Sequence, residues 1–453
     1  MNHFKIINSS KKQIDMVHLQ KGDKKLLNAW AFYDWANSVY PLVITSAVFP
    51  IFYDALFLEK GRYISVFGFS VKNSALIYFI TALAFLKVAI LSPLLSGIAD
   101  YVGNKKFFMK FFCYMGALSC MGLYWFNLDN IYISLLFYLL GLVGFWASLV
   151  FYNSYLPDIA FEEQQDAISA KGYSLGYIGS VILLILNLAM VMYPHWFCIT
   201  DTVVESAAIK AMRYSFIMVG VWWILFSQYT YYYLPKGNRD SEQKVTKSII
   251  FNGFKELKKV WYSLEKNIRL KRYLTSFFVY SMAVQTVMLV ATYFGSQEIL
   301  WESNEQSTIG LIICILLIQI VAIIGAFTTS KASEKFGNLP TLIFINSIWF
   351  FLCIAAYFIT LPIHFYIMAA LVGLVMGGIQ SLSRSTYSKF LPETEDTASF
   401  FSFYDVAEKI GIVIGMIIYG IIDQRYGSPR YAIVFLALFF FVGVLLLRKV
   451  PKK

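Results

Sequence analysis

The sequence predicts an all-α membrane protein of twelve transmembrane helices, arranged as two pseudo-symmetric six-helix bundles. Three observations carry this. The 453-residue chain is 58% hydrophobic and only 14% charged, where a soluble domain carries about a quarter, and its mean hydropathy is +0.61. Twelve runs are apolar and long enough to cross a bilayer, which takes about 20 residues. Short motifs recur in the same order in the two halves of the chain.

The twelve runs are 28–57, 75–99, 107–126, 131–153, 170–193, 213–234, 273–297, 308–330, 340–360, 363–386, 398–422 and 430–448. Residues 1–27 read as a polar, lysine-rich cytoplasmic tail, and the first run is too long for a cleavable signal peptide. Residues 28–234 make an N-terminal bundle, 235–272 a basic cytoplasmic linker, 273–448 a C-terminal bundle and 449–453 a short cytoplasmic tail. With the N-terminus inside, the inner segments hold 29 Lys and Arg and the outer loops 7, while Lys87 and Lys409 fall within helices. That asymmetry places both termini in the cytoplasm and suits a multi-pass protein of a plasma membrane, the inner one in a bacterium. The net charge of +11 follows from it and implies no nucleic acid.

Cys113, Cys120, Cys314 and Cys353 lie in apolar runs, and the four His are scattered. There is no CxxC, phosphate loop or dinucleotide fingerprint. The expectation is a protein that is not an enzyme and takes no metal or cofactor.

The halves match in three places. DYVGN (100–104) pairs with EKFGN (334–338), YNSYLPD (152–158) with YSKFLPE (387–393), and LVIT (42–45) with LVAT (289–292). Six helices per half make this a parallel repeat, with a binding site expected between the halves near the midplane.

GIADYVGNKK (97–106) connects runs 2 and 3. Gly97 permits close helix approach, Gly103 suits a turn of positive φ, and Asp100 can accept bonds from a neighbouring helix N-terminus. Lys105 and Lys106 are expected to stay in the cytosol. This loop resembles the signature of the major facilitator superfamily, G-x-x-x-D-x-x-G-x-[KR]-[KR]. Asp100, Gly103, Lys105 and Lys106 fit it, and Gly97 is displaced by one position. The resemblance implies a latch for the outward-facing state, with Glu334 and Gly337 as the degenerate partner loop. YDWANSVYP in run 1, GGIQSLSRSTYSKFLPE (377–393) and FFSFYDVAEKIG (400–411) are similar to the vacuole-effluxer branch, the autophagy-linked amino-acid effluxers. That implies solute transport, with an amino acid as the first expectation.

Charges inside a membrane cost several kcal/mol and face protein or water. Asp34 lies about 9 Å into run 1, followed on its face by Asn37 and Ser38. It reads either as a ligand for a substrate ammonium or coupling proton, or as an interfacial acid that caps or pairs. Lys87 lies about 18 Å deep and is expected to meet Glu408 of run 11; Asp405 and Lys409 can pair at i, i+4. Static structural pairing is the alternative for this set. Arg384 and Gln380 share a face of run 10. Arg384 either binds a substrate carboxylate or seals the gate against Asp405. Gln285 aligns with Ser38 in the repeat and is a further cavity candidate. Glycines in GYSLGYIG (172–179), GLVMGG (373–378) and GIVIG (411–415) suggest close contacts of helices 5, 10 and 11.

The reading is a monomeric secondary transporter of a small polar solute, working by alternating access in the lipid bilayer, with export as one direction and proton or sodium as coupling ion. A cation-coupled sugar symporter is the nearest alternative. A non-transporting receptor or scaffold is the alternative of another class.

Overall fold

The computed structural model describes residues 19–57, 63–202, 205–237, 249–426 and 428–451; part of the expected N-terminal tail, part of the linker and the last two residues lie outside this set. Six long helices form the first half: α1 (Lys24–Leu56), α2 (Asn73–Val102), α3 (Lys105–Gly122), α4 (Ile131–Ser154), α5 (Glu162–Met192) and α6 (Ala207–Tyr233). Six more form the second: α7 (Ile268–Glu298), α8 (Asn304–Phe336), α9 (Asn338–Ala356), α10 (Pro362–Phe390), α11 (Thr397–Tyr426) and α12 (Pro429–Arg448). Between them runs a separate helix, Ile249–Lys266, the linker helix. Among the described residues, 11 helices are long and apolar enough to span a membrane. α11 has the length, 30 residues, but carries Asp405, Glu408 and Lys409 in its middle. The start of α1 and the end of α12 lie on one side of the bundle, here called the terminus face.

α1 is interrupted. Pro41 cannot donate to the carbonyl four residues back and its ring crowds that carbonyl, so Tyr40–Ala47 winds as a π-helix. The Thr45 and Ser46 hydroxyls donate to the Pro41 carbonyl at 2.5 and 3.0 Å. Between α1 and α2 the chain adds a small antiparallel hairpin, Tyr63–Val66 with Phe69–Lys72. Its turn residues Phe67 and Gly68 have φ of 50° and 81°, the left-handed pair that a two-residue turn requires.

Packing repeats between the halves. α1 packs on α5 and α6 as α7 does on α11 and α12; α2 meets α4 as α8 meets α10; α3 meets α4 and α6 as α9 meets α10 and α12. Each half has its own apolar core. One is centred on Trp30, Trp223 and Phe216, the other on Trp349, Tyr280 and Phe440. Across the seam α2 meets α11, α5 meets α8, and α4 and α5 meet α11 and α10 respectively.

The glycine stripes make close helix contacts, and the structure names the partners. They seat α5, α10 and α11 on other helices. Gly172, Gly176 and Gly179 of α5 lie against Asp34, Ser38 and Trp35 of α1; Gly373 and Gly377 lie against Ile318 and Ala322 of α8; Gly411 and Gly415 lie against Met282 and Thr286 of α7. Sequence spacing shows that a helix has a flat face and not which helix fills it. A Cβ at Gly377 would fall on the Ala322 carbonyl, a backbone atom that cannot swing away, whereas Gly420 has no heavy atom within 4 Å of an added Cβ. Gly377→Val is therefore expected to cost about 1–3 kcal/mol through overpacking, and Gly420→Val to be tolerated; thermal unfolding in detergent compares the two.

Candidate functional site

Two polar centres and a ring of loop contacts lie along the seam. The first centre joins α1 to α10. Asp34 and Arg384 are 4% and 2% exposed. Both terminal guanidinium nitrogens of Arg384 donate to Asp34 Oδ2 at 3.2 Å. Its Nε donates to Ser169 Oγ at 2.9 Å, Nη2 to the Ser169 carbonyl at 3.0 Å, and Nη1 to Asn153 Oδ1 at 3.3 Å. The Tyr152 hydroxyl donates to the same Asp34 oxygen at 2.8 Å. The guanidinium lies 4.2 Å from the Tyr173 ring centre and 4.8 Å from that of Trp30. Gly172 makes this possible, because a side chain there would collide with Asp34 Oδ2. Asn37 is buried beside this centre: its Oδ1 accepts from Ser38 Oγ at 3.3 Å, and its Nδ2 has no partner.

The second centre sits on α11. Lys409 is fully buried, 3.1 Å from Asp405 and 2.6 Å from Glu408, and its ammonium lies 3.5 Å from the Trp146 ring centre of α4. Gln285 of α7 donates to Glu408 Oε1 at 2.8 Å. Ser92 of α2 reaches Asp405 at 3.4 Å. A separate bond across the seam runs from the Tyr177 hydroxyl of α5 to Gln380 of α10, at 2.8 Å. The Glu408 side chain keeps 16% of its surface exposed, twice that of Asp405 at 8%.

Several expectations are corrected here. Lys87 does not meet Glu408: it shares an exposed face of α2 with Leu83, Leu86 and Ile90, while α2 meets α11 through Ser92. Depth was readable from the sequence; rotation about the helix axis was not. Lys409 takes the position opposite Glu408. Arg384 seals against Asp34 and not Asp405. Gln285 joins Glu408, away from Ser38.

The loops close the terminus face. Asp100 accepts from the backbone N–H groups of Ala398 and Ser399, at 3.2 and 2.7 Å, in the first turn of α11. Gly97 is buried in α2. Gly103 and Gly337 both take positive φ, 72° and 87°, at matching places in the repeat. Lys105 is not in solvent: it is 4% exposed, paired with Asp158 and bonded to Thr397 Oγ1 at 2.9 Å, because the start of α3 points it into the gap between α4 and α11. Lys106 likewise turns inward and donates to the Leu234 carbonyl at 2.6 Å. Glu334 is exposed and takes no part. Its place is filled from the other half by Asp166 of α5, which accepts from Ser333 at 2.9 Å and Asn338 at 2.9 Å and pairs with Lys389 at 2.7 Å.

Comparison with known proteins follows this geometry. The family described as vacuole effluxer Atg22 like matches residues 22–453. The chain belongs to that family. The MFS-type transporter YxiO of Bacillus subtilis (strain 168) is 31% identical over 441 residues, covering 96% of this chain and 97% of its own. Autophagy-related protein 22-1 of Phaeosphaeria nodorum is 22% identical over 532 residues, covering 95% and 92%. In three dimensions the E. coli fucose:proton symporter FucP superposes with a TM-score of 0.67 at 16% identity, over 95% of this chain and 98% of its own; at that identity the likeness is one of fold. The protein is thus a multi-pass membrane transporter of the major facilitator type.

In this Atg22-like transporter the sequence reading missed Tyr152, Ser169, Tyr173 and Trp30 around Arg384, Trp146 over Lys409, and Asp158 and Asp166 on the terminus face. The repeated YNSYLPD motif contained Tyr152, Asn153 and Asp158, so the repeat itself was the signal. Among the described residues no group of three or more His, Cys, Asp or Glu could hold a metal ion.

Arg384→Ala would leave Asp34 buried without its cation, at a cost of about 3–5 kcal/mol. Asp34→Asn added to it should cost less than its effect alone, with a coupling of about 0.5–3 kcal/mol. A double-mutant cycle by thermal unfolding measures both.

Proposed function

We propose that this protein is a secondary active transporter that moves a small polar solute, an amino acid first, by alternating access. The 29-to-7 distribution of Lys and Arg makes the terminus face the cytoplasmic one. The conformation with Asp100, Lys105 and Asp166 latched is then the one closed to the cytoplasm. The observation that carries the reading is the Asp34–Arg384 pair: a buried ion pair whose members belong to opposite halves, so that opening the cytoplasmic side must separate them.

The solute class follows from the second centre. Glu408 is a partly open carboxylate, suited to an ammonium. Lys409 and Gln285, which both donate to Glu408, supply donors that a carboxylate on the same solute can take over. A zwitterion meets both demands. Glu408 is also the coupling group in this reading. The family's description as effluxers favours export. One chain holds the complete site, so a monomer suffices. The sugar-symporter alternative draws on FucP, whose likeness is one of fold.

Purified protein in proteoliposomes tests this. Amino acids, and not sugars, should raise its melting temperature. Glu408→Gln should abolish accumulation driven by a proton gradient while leaving counterflow exchange intact. Full gradient-driven transport by that variant removes the coupling role, and stabilisation by sugars alone, only with sodium, moves the assignment to the symporter.

A further inference from the structure

The linker helix Ile249–Lys266 has no part in the chemistry above. Its sequence sets Lys255, Lys258, Lys259 and Lys266 among Leu257, Val260, Trp261 and Leu264. Val260 and Leu264 are buried. The helix packs along α2 of one half and also touches α7 and α11 of the other, so it straddles the seam. Lys259 pairs at 2.7 Å with Asp396, the residue just before α11, whose first-turn amides are held by Asp100. The Trp261 ring lies 5.9 Å from Phe403 of α11. Phe403 is about 9 Å along that helix.

Two features of this helix face away from the protein core. Trp261 and Tyr262 remain 50% and 51% exposed, side by side; the Trp261 indole donates to Glu265 at 3.1 Å and the Lys258 ammonium lies 5.9 Å from the Tyr262 ring centre. Lys255, Lys258 and Lys266 are exposed next to them. At the end of the helix, Lys271, Arg272 and Lys449 outnumber Glu265 in a surface groove of about 530 Å³ that Ile268 and Leu446 also line. Aromatic side chains beside lysines, on an amphipathic helix lying against membrane-spanning helices, suit an interface of negative charge.

We propose that the linker helix binds the anionic phospholipid leaflet on the terminus face and, through Lys259–Asp396, holds the gate on that face closed. The helix contacts both halves only while α2 and α11 are together, so a leaflet that retains it in place favours the closed gate. The proposal rests on the alternating-access reading.

The test uses the full chain with Cys198, the exposed cysteine, replaced by Ser, and spin labels at Phe79→Cys and Ile421→Cys, one on each half away from the terminus face. Distances are measured by electron-electron resonance in nanodiscs of phosphatidylcholine alone or with one quarter phosphatidylglycerol. The anionic lipid should raise the ratio of the wide to the narrow distance about fivefold. The triple variant Lys255→Gln, Lys258→Gln, Lys266→Gln should show both distances, which reports that it folds, with a ratio indifferent to lipid. Lys259→Gln should lose the response while its lysine-rich face stays intact. An unchanged ratio in the wild-type chain, or a full response in the triple variant, overturns the proposal. A single distance in every lipid overturns the alternating-access reading and this proposal with it.

Discussion

Arg384 is solvated by the half of the molecule to which it does not belong. Its three nitrogens bond to Asp34, Asn153 and Ser169, and Trp30, Tyr152 and Tyr173 surround it. All six come from the N-terminal bundle, while the arginine rides on α10 of the other. With the seam closed, these groups take the place of water around the guanidinium. The closed seam is thus a constraint on the whole fold: the aromatic residues of α1 and α4, the glycines of α5 and the register of α10 all serve to place one cation. Gly172 shows how tight this is, since a single methyl there would displace the carboxylate.

The second centre obeys a different rule. Lys409, Asp405 and Glu408 lie on one helix, so their mutual contacts survive any movement of α11 as a body. What movement changes is the surroundings: Trp146 and Ser92 from the first half, and Gln285 from α7. The Arg384 pair exists only while the halves are joined, whereas the ion pairs of the α11 triad lie within one helix. The two centres thus differ in which contacts a relative movement of the halves would break.

The sequence displayed the frame of this structure more fully than its centre. Hydropathy located the helices because length and composition suffice for a span, and the repeat DYVGN/EKFGN located both loops, with the positive φ of Gly103 expected and that of Gly337 found at the matching position. Asp405–Lys409 was legible as an i, i+4 pair because both lie on one helix. Asp34–Arg384 was not, since the residues are 350 positions apart and their meeting depends on how α1 and α10 are turned. The same ignorance of rotation misdirected Lys87. Lys105 was misread because basic residues beside a span are usually solvated, and the acid awaiting it, Asp158, follows α4. Asp166 lay in a polar loop segment that hydropathy treats as mere connection.

The two bundles share a helix plan but have diverged in charge where they meet. On the terminus face the N-terminal half brings Asp34, Asp100 and Asp166, and the C-terminal half brings Arg384, Lys389, Asn338 and the open amides of α11. Glu334, the repeat partner of Asp100, has withdrawn to the surface. Two copies of the first half would set carboxylate against carboxylate, and two copies of the second would set cation against cation. A fold with an internal twofold relation thus meets across its seam through unlike charges. Its halves are complements and not copies, each supplying at the seam what the other lacks.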